Sequence, residues 1–254
     1  DRLQPVNVAD LLSRVPGVQV RQSGGRGSLT GVFIRGTSTA QSLVLIDGVR
    51  VGSATAGGAN SALEHLNIEQ IERVEVLRGS RSAVYGADAI GGVIQIFTRR
   101  GDDQGLTPRV RYAIGNKGVQ ERSVGLSGGN EKTRFNLGYS NDEAHGFDRT
   151  RRSWGSDQDH DTYRNKAISL NLSHAFTEAF SVGGSLLQQK GKNEYDNPAG
   201  RFDMTSFQNV AARPYDTFQS ASGSLFAQLK INDVWHSRLE LGHNENKLST
   251  YDKL

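Results

Sequence analysis

The sequence has 254 residues, contains no cysteine and carries a formal net charge of +3. It therefore excludes a disulfide framework and thiolate metal sites, and the interspersed charges do not indicate a nucleic-acid partner. Mean hydropathy is −0.52, and no apolar run approaches the roughly 20 residues of a membrane-spanning helix. A transmembrane β-barrel escapes that test, because only alternate residues of its strands face lipid.

The first hundred residues are predicted to form a compact α/β unit. Apolar residues recur at helical spacing over 6–15, which predicts a short helix. Asn7 is a candidate N-cap, and Pro16 ends the helix. The ranges 18–22 and 42–46 are predicted strands. The second strand is nearly all apolar and is expected to be buried on both faces.

The stretch 68–100 is the predicted centre of this unit. Val74 and Val76 alternate with Glu75 in a strand that stops at the Arg78-Gly79 turn. Gly91-Gly92 then opens a second strand. Strand, glycine-bearing turn and strand indicate a rigid scaffold rather than a linker.

Beyond residue 106 the pattern changes to alternating apolar and polar residues, which predicts about seven strands. These strands contain the ranges 109–114, 124–126, 134–139, 167–173, 182–186, 225–229 and 239–241. A soluble sandwich would alternate in the same way. A membrane barrel is favoured because the polar face is rich in Ser, Asn and Gln, and because the long polar connections 143–164 and 191–217 fall at one end. Seven strands cannot close a large barrel, so we expect a fragment.

Four elements resemble the plug domain of TonB-dependent outer-membrane transporters. They are ADLLSRVPGVQV (9–20), FIRGT (33–37), LVLIDGVR (43–50) and IERVEVLRGSRSAVYGADAIGGVIQIFTRR (71–100). The plugs of this family usually have proline where this chain has Ser80.

The resemblance implies a mixed fold: a small α/β plug domain at 1–102, and at 103–254 the first strands, about seven of 22, of a transmembrane β-barrel. It also implies a multi-pass protein of the bacterial outer membrane, in contact with outer-membrane lipid. Such a protein is not an enzyme, and the energy-coupling TonB protein of the inner membrane acts on its plug.

Within this family the likeness is to the cobalamin (vitamin B12) receptors, carried by GGRGSLTGVFIRGT (24–37), LVLIDGVR (43–50), RSAVYGADAIGGVIQI (81–96) and HGFD (145–148). It implies active transport of cobalamin, with a ferric siderophore as the alternative ligand. It places ligand contacts at the plug apices, at Leu29, Gly31, Ser38, Ala56 and Gly57. The receptors of this branch also carry calcium in two extracellular loops, which implies the metal ligands Asp148, Asp157, Asp159, Asp161, Tyr195, Asp196 and Asp203.

The acidic residues alone are consistent with more than one interpretation of this loop. Asp157, Asp159 and Asp161 alternate, and in an extended loop their carboxylates would point to one side, as a hard cation requires. A solvated acidic loop is the simpler interpretation of that run alone. A metal-dependent hydrolase is a further alternative. It does not explain the predicted strands, and the sequence near these aspartates lacks a His or Glu set that could act as its general base.

Other features point less strongly to function. The run Gly24–Gly27 could cradle a phosphate, but it lacks the context of a phosphate-binding loop. A passive porin or adhesin would not need a folded plug. Ion pairs between the plug and the barrel wall are expected from the arginines Arg35, Arg78, Arg81, Arg99 and Arg100.

Overall fold

A computed structural model describes residues 5, 7–52, 63–102, 105–147, 160–196, 201–210 and 212–253. In these ranges no helix combines the length and apolar character needed to cross a membrane. The described residues form two parts, a small α/β domain and a broad antiparallel sheet.

The α/β domain begins with a helix and a hairpin. Helix α1 (Val8–Ser13) is capped by Asn7, whose side chain accepts a hydrogen bond of 2.8 Å from the backbone of Asp10. Strands β1 (Val18–Gln22) and β2 (Thr30–Ile34) then pair antiparallel. The predicted helix and first strand are therefore present, and the helix is shorter than its apolar pattern suggested.

A four-stranded mixed sheet follows, made of β3 (Ser42–Ile46), β4 (Val49–Val51), β5 (Ile71–Arg78) and β6 (Gly92–Thr98). Its order is β4-β3-β6-β5, and only β3 and β6 run parallel. All five residues of β3 are buried, as its apolar run predicted. The short helix α2 (Ser82–Tyr85) lies in the turn between β5 and β6.

The core of this domain lies between the sheet, helix α1 and the β1–β2 hairpin. Val8, Leu12, Ile34 and Ile94 are completely buried there. Leu187 of the large sheet belongs to the same cluster. The domain is therefore built around apolar contacts of its own and meets the large sheet with few apolar side chains.

Nine further strands follow among the described residues. They are β7 (Thr107–Gly115), β8 (Val119–Gly129), β9 (Thr133–Ala144), β10 (Tyr163–Ala175), β11 (Phe180–Glu194), β12 (Arg201–Asp203), β13 (Gln208–Val210), β14 (Arg213–Lys230) and β15 (His236–Lys253).

Seven of these strands form one antiparallel sheet, in the order β15-β14-β11-β10-β9-β8-β7. The prediction of a plug followed by about seven antiparallel strands of a partial barrel is confirmed. The strand ends that the connections 145–162 and 195–212 join lie at one end of the sheet, which we call the long-loop end. The turns at 130–132, 176–179 and 231–235 lie at the other, the short-turn end. The small β12–β13 hairpin inside the second long connection was not predicted.

The large sheet has two different faces. On β10, Tyr163, Asn165 and Ala167 are buried towards the α/β domain, whereas the alternate residues Ile168 and Leu170 are exposed. Successive strand residues point to opposite sides, so each strand presents one set to the domain and the other outwards. We call these sides the inner wall and the outer face.

Truncating Ile94 to alanine should destabilise the α/β domain by about 2–5 kcal/mol, because the fully buried side chain would leave a cavity. Hydrogen exchange of the β3 and β6 amides in the intact protein measures this loss as reduced protection. Val84→Ala is the matched control, since Val84 is 76% exposed. Equal protection in the two variants would contradict the assignment of the core.

Candidate functional site at the plug and its wall

Three of the predicted ligand contacts lie on the α/β domain near one another. The Leu29 side chain is exposed. Leu29 lies at the end of a turn, which is closed by a 3.0 Å hydrogen bond from the Ser23 N–H to the Leu29 carbonyl. Gly31 lies on β2, and a β-carbon there would approach the Thr39 methyl to 3.1 Å. Ser38, directly before Thr39, is exposed, and its N–H donates to the Gln41 side chain at 3.0 Å. Ala56 and Gly57 lie outside the described residues, and all five assignments stay predictions.

Three predicted metal ligands emerge at the long-loop end of the inner wall. Tyr163 pairs with Asn193, and the pairing continues outwards through the 2.9 Å bond from Glu194 N–H to the Thr162 carbonyl. Asp161 on one strand end, and Tyr195 and Asp196 on the other, flank this bonded pair along the chain, although two different long connections carry them. Calcium takes six to eight oxygen ligands, and the predicted site would draw them from both connections.

The remaining metal assignments divide into two groups. Asp203 is the last residue of β12, and its carboxylate accepts hydrogen bonds from the backbone of Thr205 and from the backbone and hydroxyl of Ser206 in the turn that follows. Asp148, Asp157 and Asp159 lie outside the described residues. Among the residues that are described, no three His, Asp or Glu side chains are grouped to hold a metal ion. The calcium site stays a prediction.

Sequence reasoning missed Asp216, a further carboxylate at this end of the wall. It accepts hydrogen bonds from the hydroxyls of Tyr195 at 3.3 Å and Thr250 at 2.6 Å. Its position on β14, opposite Asn193, places it next to the predicted ligands. Nothing in the local sequence around Asp216 signals this, because the proximity arises from strand pairing.

Residues 63–69, which we call the latch, make a polar contact between the two parts, and strand β4 makes another with β14 and β15, where the Asn246 amide donates to the Gly52 carbonyl at 3.0 Å. His65 stacks on Phe218 with ring centroids 3.4 Å apart, and its Nδ1 lies 3.2 Å from the Tyr163 hydroxyl. Its carbonyl accepts hydrogen bonds from the side-chain amides of Asn165 at 2.6 Å and Gln189 at 3.1 Å. One plug residue is thus held by three strands of the inner wall.

Asn67 adds a second contact, donating at 2.9 Å to the carboxylate of Asp142 on β9. Glu69 forms an ion pair of 3.1 Å with Arg111 of β7, which also lies 3.2 Å from Glu121. These partners are 42 to 75 residues from the latch in sequence. The latch is therefore joined to the wall mostly through polar groups.

The turn before β2 supports the latch from one side. Arg26 forms an ion pair with Glu121, and the Gly27 carbonyl accepts a hydrogen bond of 3.3 Å from the Asn193 amide. A β-carbon on Gly27 would collide with the Tyr163 ring at 2.4 Å, so only glycine fits at this approach. The glycine-rich run thus serves close packing against the wall.

A small cavity of about 40 Å³ lies between the latch, the turn before β2 and the wall. It is large enough to hold water. Its polar lining includes Arg26, Glu64, His65, Glu121, Asp142 and Tyr163.

The pKa values of two latch residues are shifted in the direction that favours the neutral form of each side chain. Burial raises the pKa of the Glu64 carboxyl to about 7, against a weaker lowering by its 3.3 Å bond from the Thr30 N–H. Burial also lowers the pKa of His65 to about 3. The cost of burying a charge favours the uncharged form of each group.

The predicted role of the arginines needs correction. Arg99 donates at 2.7 Å to the Glu69 carbonyl, and Arg78 donates at 2.9 Å to the Pro16 carbonyl, so both of these bonds lie within the α/β domain. Arg26 and Arg111 form the ion pairs across the interface instead. Sequence order alone did not reveal which arginines face the wall.

The fold now defines a class: a plug domain followed by antiparallel strands of a partial β-barrel, as in TonB-dependent receptors. Residues 1–93 match the family described as TonB-dependent Receptor Plug Domain. This match covers most of the α/β domain and includes the first three of the four sequence elements and most of the fourth.

Solved structures share the fold of the whole chain. A ferric enterobactin receptor mutant of Pseudomonas aeruginosa, in complex with enterobactin, superimposes with a TM-score of 0.70 at 19% identity, covering 97% of this chain and 39% of its own. The alcaligin outer-membrane receptor of Bordetella pertussis gives 0.70 at 12%, covering 96% and 37%. The ferripyoverdine receptor of P. aeruginosa gives 0.69 at 16%, covering 97% and 32%. The chain thus spans about two-fifths of the length of these receptors or less.

The Glu64 shift predicts a pH dependence of latch docking. Its pKa is higher in the docked state than the ordinary 4.5, so its stabilising contribution is complete below pH 4.5 and is lost as pH rises towards 7. Relative to the Glu64→Gln variant, the wild type should lose up to about 3 kcal/mol of latch-docking free energy across this pH range.

Hydrogen exchange of the latch amides, corrected for intrinsic rates, measures this difference in the intact protein. The difference between variants is the quantity to follow, because His65 contributes with the opposite sign: its lowered pKa removes stability as pH falls from 6.5 towards 3. Parallel pH profiles for wild type and Glu64→Gln would contradict the buried, protonated state of Glu64.

Proposed function

We propose that the protein is a TonB-dependent receptor that imports a small ligand across the bacterial outer membrane. In this proposal the plug blocks the barrel, and TonB, pulling from the periplasm, releases the plug from the wall. The proposal is carried by the latch, where His65 and Asn67 join plug and wall mainly through hydrogen bonds.

The chemistry of the latch suits a reversible gate. A typical hydrogen bond contributes only about 0.5–1.5 kcal/mol net, because water replaces it when it breaks. Bridging waters can also restore such contacts at little cost. The interior of the plug is instead apolar, with residues such as Ile34 and Ile94 completely buried. A pull on the plug would therefore release it from the wall more readily than it would separate its sheet.

A ferric siderophore is the ligand class we favour. The receptors that share this fold are described as ferric enterobactin, alcaligin and ferripyoverdine receptors. The predicted contacts Leu29, Gly31 and Ser38 form a small apical surface of the plug that such a chelate could meet. At identities of 12–19% the comparison supports the class of ligand and not a particular siderophore.

Cobalamin is the second candidate, and a different observation favours it. The elements at 24–37, 81–96 and 145–148 resemble the cobalamin-receptor branch. A calcium site is part of this second proposal. Asp161, Tyr195 and Asp196 would supply oxygen ligands from two long connections, and Asp216 lies next to Tyr195. When bound, the ion would neutralise these carboxylates and tie the two connections together.

Equilibrium titration of the intact receptor with ferric enterobactin and with cobalamin, each with calcium or with a chelator, tests these assignments. The first candidate predicts saturable siderophore binding that a chelator of calcium leaves unchanged. The second predicts cobalamin binding that weakens by about tenfold or more without calcium and in Asp196→Asn, because repelling carboxylates would then disorder the binding surface.

Uptake by cells supplies the functional arm of the same experiment. Accumulation of the bound ligand should require both the receptor and TonB. Uptake that continues at the same rate in cells lacking TonB would contradict energised transport, whichever ligand binds. Binding of neither ligand class would overturn both ligand assignments.

A further inference from the structure

The outer face of the large sheet carries a group of positive charges near the long-loop end of strands β10 and β11. Arg164 and Lys166 of β10 and Lys190 and Lys192 of β11 alternate with residues that face the plug, such as Asn165. All four therefore point outwards. The first three are exposed, and Lys192 is partly exposed.

Strand pairing places these charges directly against one another. Arg164 is opposite Lys192, and Lys166 is opposite Lys190. Side chains opposite each other on one face of a sheet lie about 5 Å apart, and like charges in such pairs are destabilising. Two consecutive pairs of this kind on neighbouring strands call for an anionic partner.

The neighbouring strands extend the group with polar residues. Pairing across the sheet places Arg122, Asn141, Lys166, Lys190, Gln219 and Lys247 in one continuous row that contains no acidic residue.

Acidic residues near the row neutralise it only in part. Glu143 is opposite Arg164, Glu194 pairs with Lys192 at 2.8 Å, and Glu245 pairs with Lys247 at 2.7 Å. In the described parts of the chain, Lys166 and Lys190 form no ion pair. These two lysines are therefore the most available cations of the group.

The charges border an apolar surface. Ile168 and Leu170 follow Lys166 on the same side of β10, and Leu186 precedes Lys190 on β11. The charges lie on the long-loop side of this surface. Residues two apart in a strand are separated by roughly 7 Å. If the apolar surface faces lipid chains, the cations would lie immediately above those chains, where headgroups begin.

We propose that Arg164, Lys166, Lys190 and Lys192 form a binding surface for the phosphate groups of an outer-leaflet glycolipid. Charge complementarity and the adjacent apolar surface together match a molecule with phosphates above acyl chains. Arginine and lysine bind phosphate well through charge-assisted hydrogen bonds. This inference rests on the proposed function only in placing the long-loop end at the outer leaflet.

The intact receptor in uncharged detergent, titrated with bisphosphorylated lipid A and with the same lipid after dephosphorylation, tests the surface by native mass spectrometry. The wild type should prefer the phosphorylated lipid by about tenfold or more, since each cation near an anionic surface contributes appreciably. Lys166→Gln with Lys190→Gln should remove most of this preference. Lys132→Gln with Lys230→Gln, two lysines at the short-turn end, is the matched control and should keep it.

A wild type that does not discriminate between the lipids, or a Lys166→Gln, Lys190→Gln variant that still does, would overturn the proposal. Displacement of the lipid by millimolar inorganic phosphate would also overturn it, because the surface would then be a site for free anions. Siderophore and cobalamin binding, measured on the same preparations, should not change between variants. Loss of all ligand binding would count against the proposed function and leave the lipid result intact.

Discussion

The contact of His65 with the inner wall is the interaction on which the docking of the latch depends. Its ring lies flat on Phe218, and its carbonyl is held by Asn165 and Gln189 from neighbouring strands. Because these partners lie on β10, β11 and β14, a single plug residue fixes the position of the latch against three strands. Burial keeps the imidazole neutral, so the contact is held by stacking and hydrogen bonds without a charge that water would stabilise in the open state.

The sequence predicted the fold well because the fold depends on local patterns. Alternation located all seven strands of the large sheet, and the apolar run at 42–46 located a strand buried on both faces. The latch could not be found in this way. Glu64, His65 and Asn67 lie between regular elements, and Asp142 and Gln189, which they meet, are 75 and 124 residues from their partners. Periodicity carries no information about which residues meet across the interface.

The same alternation explains why each wall strand serves two purposes. On β10, Asn165 holds the latch while its neighbours Arg164 and Lys166 face outwards. On β11, Gln189 holds the latch beside the outward Lys190. Substitutions on the two faces should therefore separate plug docking from contacts with the surroundings, even between adjacent residues.

Release of the latch from the wall is the central claim, and a reversible cross-link tests it most directly. These 254 residues contain no cysteine, so Asn67→Cys with Asp142→Cys can be joined by a short bis-methanethiosulfonate reagent without a competing thiol from this part of the receptor. Ser185→Cys with Ser224→Cys, whose hydroxyls lie 2.8 Å apart within the wall, is the control pair. We predict that the Asn67–Asp142 link abolishes uptake, preserves ligand binding and is reversed by reduction, while the control link has no effect. Uptake at the full rate with plug and wall still linked would contradict the account.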